Sequence, residues 1–202
     1  MKLESIFICL LLAPCLVFGA NYANVVLYSG AVCNSPVKST LSYLEGECIG
    51  TSIYSCNFQN NILTISDYED IDCKNWSFNS TFSFNNCQNP NIQTTMSCSQ
   101  GLPSMSNSYQ YLTFESCENT ETDPISAQTV SINQCINNGM NTYYYTCNST
   151  SLIYSSYGPD SSSQGDSSTD CNPNSLLSTY SFPLKTPSCH SNGVATMYTC
   201  DY

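Results

Sequence analysis

Twelve cysteines in four groups of three constrain the fold of this chain more than any other feature. Each group closes with a large apolar residue, a hydroxyl residue and a cysteine. The closing tripeptides are Tyr54-Ser55-Cys56, Met96-Ser97-Cys98, Tyr145-Thr146-Cys147 and Tyr198-Thr199-Cys200. Self-similarity at a regular spacing is typical of a repeated structural unit. The sequence therefore predicts four similar units, each with three cysteines.

The amino terminus has the pattern of a secretory signal peptide. One lysine near the start is followed by an apolar run over residues 6–18 and by the small pair Gly19-Ala20. The run is too short to span a membrane. No second run of that length follows, and the last residues lack the apolar tail of a lipid-anchor signal. We predict that residues 1–19 are removed and that the mature protein is secreted, extracellular and without a membrane anchor.

An even number of cysteines in an exported chain predicts complete pairing as disulfides, because the secretory route is oxidising. Removal of the signal peptide also removes Cys9 and Cys15. Six cysteines per half allow many pairings, so the connectivity stays open, but we expect pairing within each half. The cysteines that remain are Cys33, Cys48, Cys56, Cys73, Cys87, Cys98, Cys117, Cys135, Cys147, Cys171, Cys189 and Cys200.

The charge of the chain excludes one class of partner. Four lysines and no arginine stand against 15 acidic residues, which gives a formal net charge of −11. Such a surface repels phosphate backbones, so we exclude nucleic acid, and anionic lipid is disfavoured for the same reason. Only 9% of the residues are charged, and the polarity comes mostly from Ser, Thr and Asn, as in extracellular β proteins.

Apolar residues alternate with polar ones along much of the chain, which indicates strands. The clearest case is Trp76, Phe78, Phe82 and Phe84, all at even positions, and we expect this aromatic face to lie in the core. No segment shows sustained helical periodicity. We therefore predict an all-β protein.

The composition also suggests how the chain is divided. A stretch rich in Ser, Gly and Pro over residues 99–108 separates the cysteines six and six, which predicts two β domains over residues 20–100 and 108–202. Residues 155–170 consist almost wholly of Ser, Gly, Asp and Gln, so we expect a disordered insertion there.

The spacing of the units resembles that of a known family. Residues 25–56 run as strand, turn, strand, loop and closing strand, with a hydroxyl residue before the last cysteine. This order is similar to the βγ-crystallins, and the resemblance implies two Greek-key or sandwich domains. The closest match to the calcium motif of that family, residues 137–142, fails at its last two positions, so the resemblance implies no calcium site. The Asn-, Ser- and Tyr-rich chain also resembles the uncharacterised cysteine-rich secreted proteins of social amoebae, which implies no activity.

Few residues suggest catalysis or metal binding. His190 adjoins Cys189, but a Cys-His pair needs a free thiolate, and the even cysteine count leaves none. No Gly-x-Ser-x-Gly motif is present. The acidic loop 67–72 could gather oxygens around calcium, although a solvated acidic edge is the simpler interpretation. Residues 115–123 form a second acidic stretch with the same interpretation. We predict no enzyme, no metal and no cofactor.

Two features suggest recognition and modification. Tyr143, Tyr144 and Tyr145 are consecutive, so on a strand at least one points away from the core, where its apolar face and polar edge suit a sugar ring. Ordinary strand-forming tyrosines are the competing interpretation. Asn75, Asn79 and Asn148 begin N-glycosylation sequons.

These observations predict a secreted, disulfide-stabilised glycoprotein that acts by binding or by structural assembly in a matrix, in adhesion or on carbohydrate. A secreted inhibitor or antimicrobial effector that uses residues 155–170 is the alternative. A hydrolase is a third hypothesis, and it requires carboxylates that converge in a pocket.

Overall fold

The computed structural model describes residues 19–28, 33, 36–89, 93–137, 141–158 and 171–201. The regular structure in these residues consists of sixteen β-strands and one short 3-10 helix. The all-β class is confirmed. Aromatic and β-branched residues favour strands, and the many Ser, Thr and Asn residues weaken helices because their side chains compete for backbone hydrogen bonds.

The two halves of the chain contain eight strands each. In the first half, residues 21–100, they are β1 (Asn21–Tyr28), β2 (Val37–Leu44), β3 (Cys48–Ile49), β4 (Ser52–Asn57), β5 (Ile62–Tyr68), β6 (Trp76–Ser83), β7 (Cys87–Asn89) and β8 (Thr94–Gln100). In the second half, residues 108–201, they are β9 (Ser108–Phe114), β10 (Ser126–Ser131), β11 (Cys135–Asn137), β12 (Thr142–Cys147), β13 (Ser151–Tyr157), β14 (Leu176–Pro183), β15 (Ser188–Cys189) and β16 (Ala195–Asp201). The 3-10 helix Pro173–Ser175 precedes β14.

The strand order is the same in both halves. The four middle strands of each half form a meander, β3-β4-β5-β6 in the first and β11-β12-β13-β14 in the second. The outer strands of both halves join in one eight-stranded sheet of order β15-β16-β9-β10-β2-β1-β8-β7. Each half is thus a meander sheet packed against its part of the large sheet. The Greek-key connection that the resemblance implied is not confirmed.

The two halves meet where β2 pairs with β10. Leu41 lies opposite Gln128, and on either side Thr40 lies opposite Thr129 and Ser42 opposite Ala127. Within its own half, Ser42 pairs with a residue of β1, and Thr129 pairs with the equivalent residue of β9. The register between the two halves is therefore symmetric about the Leu41–Gln128 pair. The backbone ladder therefore runs from one half into the other. The separation into two domains, residues 20–100 and 108–202, stays a prediction.

Each closing cysteine lies opposite a buried residue on the neighbouring strand. Ala23 and Leu63 have no exposed surface and Leu152 has 1%. A direct cross-strand partner shares the same face of the sheet, so the cysteine side chains also lie between the sheets. The four pairs are Ala23 with Cys98, Leu63 with Cys56, Tyr109 with Cys200 and Leu152 with Cys147.

Six disulfides connect these twelve cysteines, so the predicted disulfide bonding is confirmed. In each half the first cysteine bonds to the fifth, the second to the fourth and the third to the sixth. The Cα atoms of each pair are 5.6 to 6.4 Å apart. The pairs are Cys33–Cys87, Cys48–Cys73, Cys56–Cys98, Cys117–Cys189, Cys135–Cys171 and Cys147–Cys200. The third-to-sixth bond joins the meander to the large sheet in both halves, and every bond lies within one half.

The connection between the halves, residues 101–107, packs on the outer face of the large sheet. Leu102 packs against the buried cluster formed by Leu112, Phe114, Ala127 and Ala195. The side-chain amide of Gln110 donates to the carbonyl oxygen of Pro103 at 3.4 Å. The hydroxyl of Tyr22 donates to the carbonyl oxygen of Pro124 at 2.9 Å, so a second loop covers the same face. Burial raises the pKa of Tyr22.

The prediction that Trp76 and Phe78 belong to the core is wrong. Trp76 is 60% exposed and Phe78 is 53% exposed, whereas Phe82 and Phe84 are half-buried. The reason is the position of β6 at the end of its sheet, where no strand of the described part of the chain lies on its outer side. A β-bulge also separates the Asp67–Phe78 pair from the Tyr68–Trp76 pair. The extra residue reverses the alternation, so Trp76 lies on the opposite face from Phe78.

Candidate functional site: a tyrosine-lined cleft

The meander of the second half presents a row of three tyrosines towards the large sheet. Tyr154 on β13 lies directly opposite Tyr180 on β14, with ring centroids 6.0 Å apart and planes 24° apart. Tyr143 on β12 stacks on the other side of Tyr154 at 5.6 Å and 25°. Adjacent strands lie about 4.8 Å apart, so residues on one face bring their rings into register across a sheet. The row ends at Tyr180, which is 55% exposed.

The large sheet supplies the opposite wall. Tyr109 on β9 contacts Tyr145 of the meander, with ring centroids 4.8 Å apart. Tyr198 on β16 contacts Phe182 at 4.9 Å and Tyr111 at 5.0 Å. These are offset and tilted contacts, the geometry in which aromatic pairs attract. The rings therefore form one connected cluster between the two sheets.

A cavity of about 220 Å³ lies within this cluster, which we call the tyrosine cleft. Small-molecule sites usually measure about 300–1,000 Å³, so the cleft suits a group of the size of one ring. The cleft offers apolar ring faces and polar phenol hydroxyls. The cleft is lined by Tyr109, Tyr145, Leu152, Tyr154, Phe182 and Tyr198.

The phenols of the cleft are neutral at physiological pH. Burial raises the pKa of Tyr109, Tyr145, Tyr154 and Tyr198, in each case as the main cause. For Tyr109 and Tyr198, the negative charge that a neighbouring tyrosine would acquire also raises the pKa. A neutral phenol both donates and accepts hydrogen bonds. The cleft therefore offers aromatic faces and uncharged hydroxyls.

The first half has only part of this aromatic set, although its strands pair in the same register: Tyr54 and Phe82 occupy the positions of Tyr145 and Phe182. Aligned on the closing cysteines, Ile65 occupies the position of Tyr154, Ser80 that of Tyr180 and Met96 that of Tyr198. Ala23 likewise takes the position of Tyr109. In the first half, aliphatic and small residues thus fill these positions. The tyrosines at these positions are thus a feature of the second half alone.

The consecutive tyrosines predicted from the sequence divide between the two faces of β12. Tyr143 and Tyr145 lie on the face of the cluster, and Tyr144 pairs with Cys135 and Ser155 on the other. The sequence did not indicate Tyr109, Tyr154, Tyr180 or Tyr198 as members of the same site. The sequence places each of them on a separate strand, but it does not give the strand order that brings them together.

The acidic loop 67–72 is organised by hydrogen bonds of its own. Asp70 accepts hydrogen bonds from the backbone N–H groups of Asp72, Lys74 and Asn75 at 2.7–3.1 Å. The bond from Lys74 has the largest effect in lowering the pKa of Asp70. Lys74 also pairs with Asp72 at 2.9 Å. Among the residues that the structure describes, no group of three or more His, Cys, Asp or Glu side chains could hold a metal ion.

The remaining candidates from the sequence stand apart from the cleft. Cys189 is bonded to Cys117, so His190 has no thiol beside it, and its Nε2 lies 3.0 Å from Oγ1 of Thr196. The acidic stretch 115–123 lies in the loop after β9, where Asp123 contributes to the raised pKa of Tyr22. Asn75, Asn79 and Asn148 are all exposed.

Several sequence predictions fall on residues outside the described ones. These are residues 1–18 of the predicted signal peptide and residues 159–170 of the predicted insertion. In the described part of the chain, no helix is long and apolar enough to span a bilayer.

Comparison with protein families gives a match over most of the chain. Residues 1–183 match the family described as counting factor-associated protein A/B/C. The chain belongs to this family. The match agrees with the resemblance to cysteine-rich secreted proteins of social amoebae, whereas the βγ-crystallin-like pattern is not shown. Together with the six disulfides, the family indicates an extracellular protein. No curated protein and no solved structure matches this chain.

Proposed function

We propose that this counting factor-associated family member is a non-enzymatic extracellular binding protein that recognises neutral carbohydrate in the tyrosine cleft. The observation that supports the proposal is the stacked row Tyr143–Tyr154–Tyr180, which leads from the cavity to an exposed ring at the sheet edge. Sugar rings present C–H groups that pack on aromatic faces and hydroxyls that bond to phenols.

The charge of the chain selects among carbohydrates. A formal net charge of −11 disfavours sulfated, sialylated and uronic-acid chains through like-charge repulsion. The neutral phenols of the cleft do not repel uncharged sugars. The ligand class that fits is therefore a neutral oligosaccharide, with one terminal ring in the cavity and the next on Tyr180.

Binding of neutral oligosaccharides on a glycan array, followed by calorimetric titration of the strongest binder, tests the proposal. Tyr154→Ala and Tyr180→Ala should each weaken binding about tenfold, which corresponds to about 1.4 kcal/mol, the upper part of the range for one aromatic contact. Ile65→Ala and Ser80→Ala, at the equivalent positions of the first half, are the matched controls and should leave binding unchanged. Equal losses in both halves, or no binding to any neutral glycan, would reject the proposal.

A protein partner is the second candidate, because the family takes its name from association with a counting factor. In that case the cleft receives an aromatic or proline side chain of the partner. The same two tyrosine substitutions would then weaken binding to the partner protein, and removal of glycans from the partner would leave its affinity unchanged.

A further inference from the structure

The edge strand β6 is unprotected in a way that natural sheets avoid. It ends its sheet, so one side of its backbone has no partner strand among the described residues. Its sequence from Trp76 to Ser83 contains three aromatic residues but no charged residue and no proline. Exposed edges of this composition pair with strands of other molecules unless something blocks them.

Two residues of this strand form an unusual contact on its exposed face. The bulge near Trp76 turns the indole to the face on which Asn79 lies. The indole Nε1 donates a hydrogen bond to the side-chain oxygen of Asn79 at 3.0 Å. Both side chains are exposed. The carbonyl oxygen of the amide is thus held beside the ring, and its nitrogen makes no hydrogen bond among the described residues.

Asn79 also begins one of the three sequons, Asn79-Ser80-Thr81. We propose that Asn79 bears an N-linked oligosaccharide whose first sugar lies on the indole of Trp76 and covers the edge of the sheet. The donor is an oligosaccharide joined to a lipid pyrophosphate. The Nδ2 atom forms a bond to C1 of the first sugar, the bond from C1 to the phosphate oxygen breaks, the amide loses one proton and the lipid pyrophosphate leaves.

The other two sequons lack this arrangement. The side-chain oxygen of Asn148 accepts hydrogen bonds from the backbone N–H groups of Thr150 and Ser151 at 2.9 and 2.8 Å, so its amide shapes a turn. Asn75 lies in the loop before β6, where its backbone N–H donates to a carboxylate oxygen of Asp70 at 2.7 Å. In the described part of the chain, only the Asn79 amide accepts a hydrogen bond from an indole.

An aromatic face beside the modified amide gives the sugar a surface on which to pack. The C–H groups of the first sugar ring would bury part of the exposed indole, and its bulk would keep other strands from the unpaired side of β6. The proposal explains why a strand with so much exposed aromatic surface is tolerated. It is independent of carbohydrate binding in the tyrosine cleft, which lies in the other half.

The test uses the full chain secreted from a eukaryotic host. Glycopeptide mass spectrometry should find Asn79 occupied. Trp76 is the only tryptophan, so tryptophan fluorescence reports on this site alone. Thr81→Ala removes the sequon but keeps Asn79. It should shift the emission to longer wavelength, increase quenching by acrylamide and increase aggregation on heating. Thr150→Ala removes the Asn148 sequon as the matched control and should change none of these.

Enzymatic trimming of the wild-type protein gives a second measurement that does not depend on folding of a variant. An endoglycosidase that leaves the first sugar should keep the Trp76 emission unchanged. An amidase that hydrolyses the bond between Cγ and Nδ2 releases the whole glycan and leaves a carboxylate at this position, so the emission should shift to that of the unglycosylated variant Asn79→Asp. An unoccupied Asn79, or the same emission with and without the first sugar, would overturn the proposal.

Discussion

Tyr43 of the large sheet stacks on Tyr54 of the first meander, with ring centroids 4.5 Å apart and planes only 6° apart. The pair joins the two sheets near the closing cysteine Cys56. Burial raises the pKa of Tyr54 to about 12, and the negative charge that Tyr43 would acquire on ionisation and the charge of Asp67 act in the same direction. Burial also raises the pKa of Tyr43, while a hydrogen bond with Tyr54 lowers it.

This stacked pair predicts a loss of stability in alkaline solution. The unfolded chain ionises Tyr54 at its ordinary pKa of 10.0, below the folded value of about 12. The folded state therefore holds the proton more tightly, and the resulting stability is complete below pH 10 and is lost as the pH rises towards 12. The difference between the phenolate absorbance titrations of wild type and Tyr54→Phe should show a midpoint near 12. A midpoint near 10 would contradict the buried environment of the pair.

The buried residues opposite the closing cysteines should be the core positions that least tolerate truncation of their side chains. Leu63 has no exposed surface, so Leu63→Ala should lower the free energy of unfolding by about 2–5 kcal/mol through lost burial and a cavity. Ile71 is 78% exposed, and Ile71→Ala should change the free energy of unfolding by less than about 0.5 kcal/mol. Urea unfolding of both variants with the disulfides intact measures the two effects. Equal losses would mean that the core lies elsewhere.

The shared sheet predicts what happens when the halves are separated. Residues 20–100 contain three complete disulfides, so this half should fold, but the loss of β10 exposes β2 as an edge. Since β2 and β10 pair antiparallel about Leu41 and Gln128, a second copy of β2 can take the place of β10. Light scattering should find a dimer, and addition of residues 108–202 should convert it into a one-to-one complex. A folded monomer would instead favour two independent domains.

Much of the scaffold followed from the sequence alone. The alternation of apolar and polar residues depends on the two-residue period of a strand, so an all-β chain was predictable from local pattern. Each closing cysteine follows an apolar residue by two positions, which places both on one face, and Tyr54-Ser55-Cys56 confirms this in β4. The disulfide bonding followed from an even cysteine count in an oxidising compartment. None of these inferences needed to know which strands are neighbours.

The tertiary structure decided the rest, because a local sequence pattern does not determine which distant strands pair. The alternation over residues 76–84 marked one face as aromatic, but the edge position of β6 and its bulge left Trp76 and Phe78 exposed. In the same way, Tyr109, Tyr154 and Tyr198 form one cleft only because β9 and β16 are neighbours in the large sheet and β13 faces them from the meander. Sequence fixes the face of each side chain along its own strand, whereas the neighbours of that strand decide whether the face is covered.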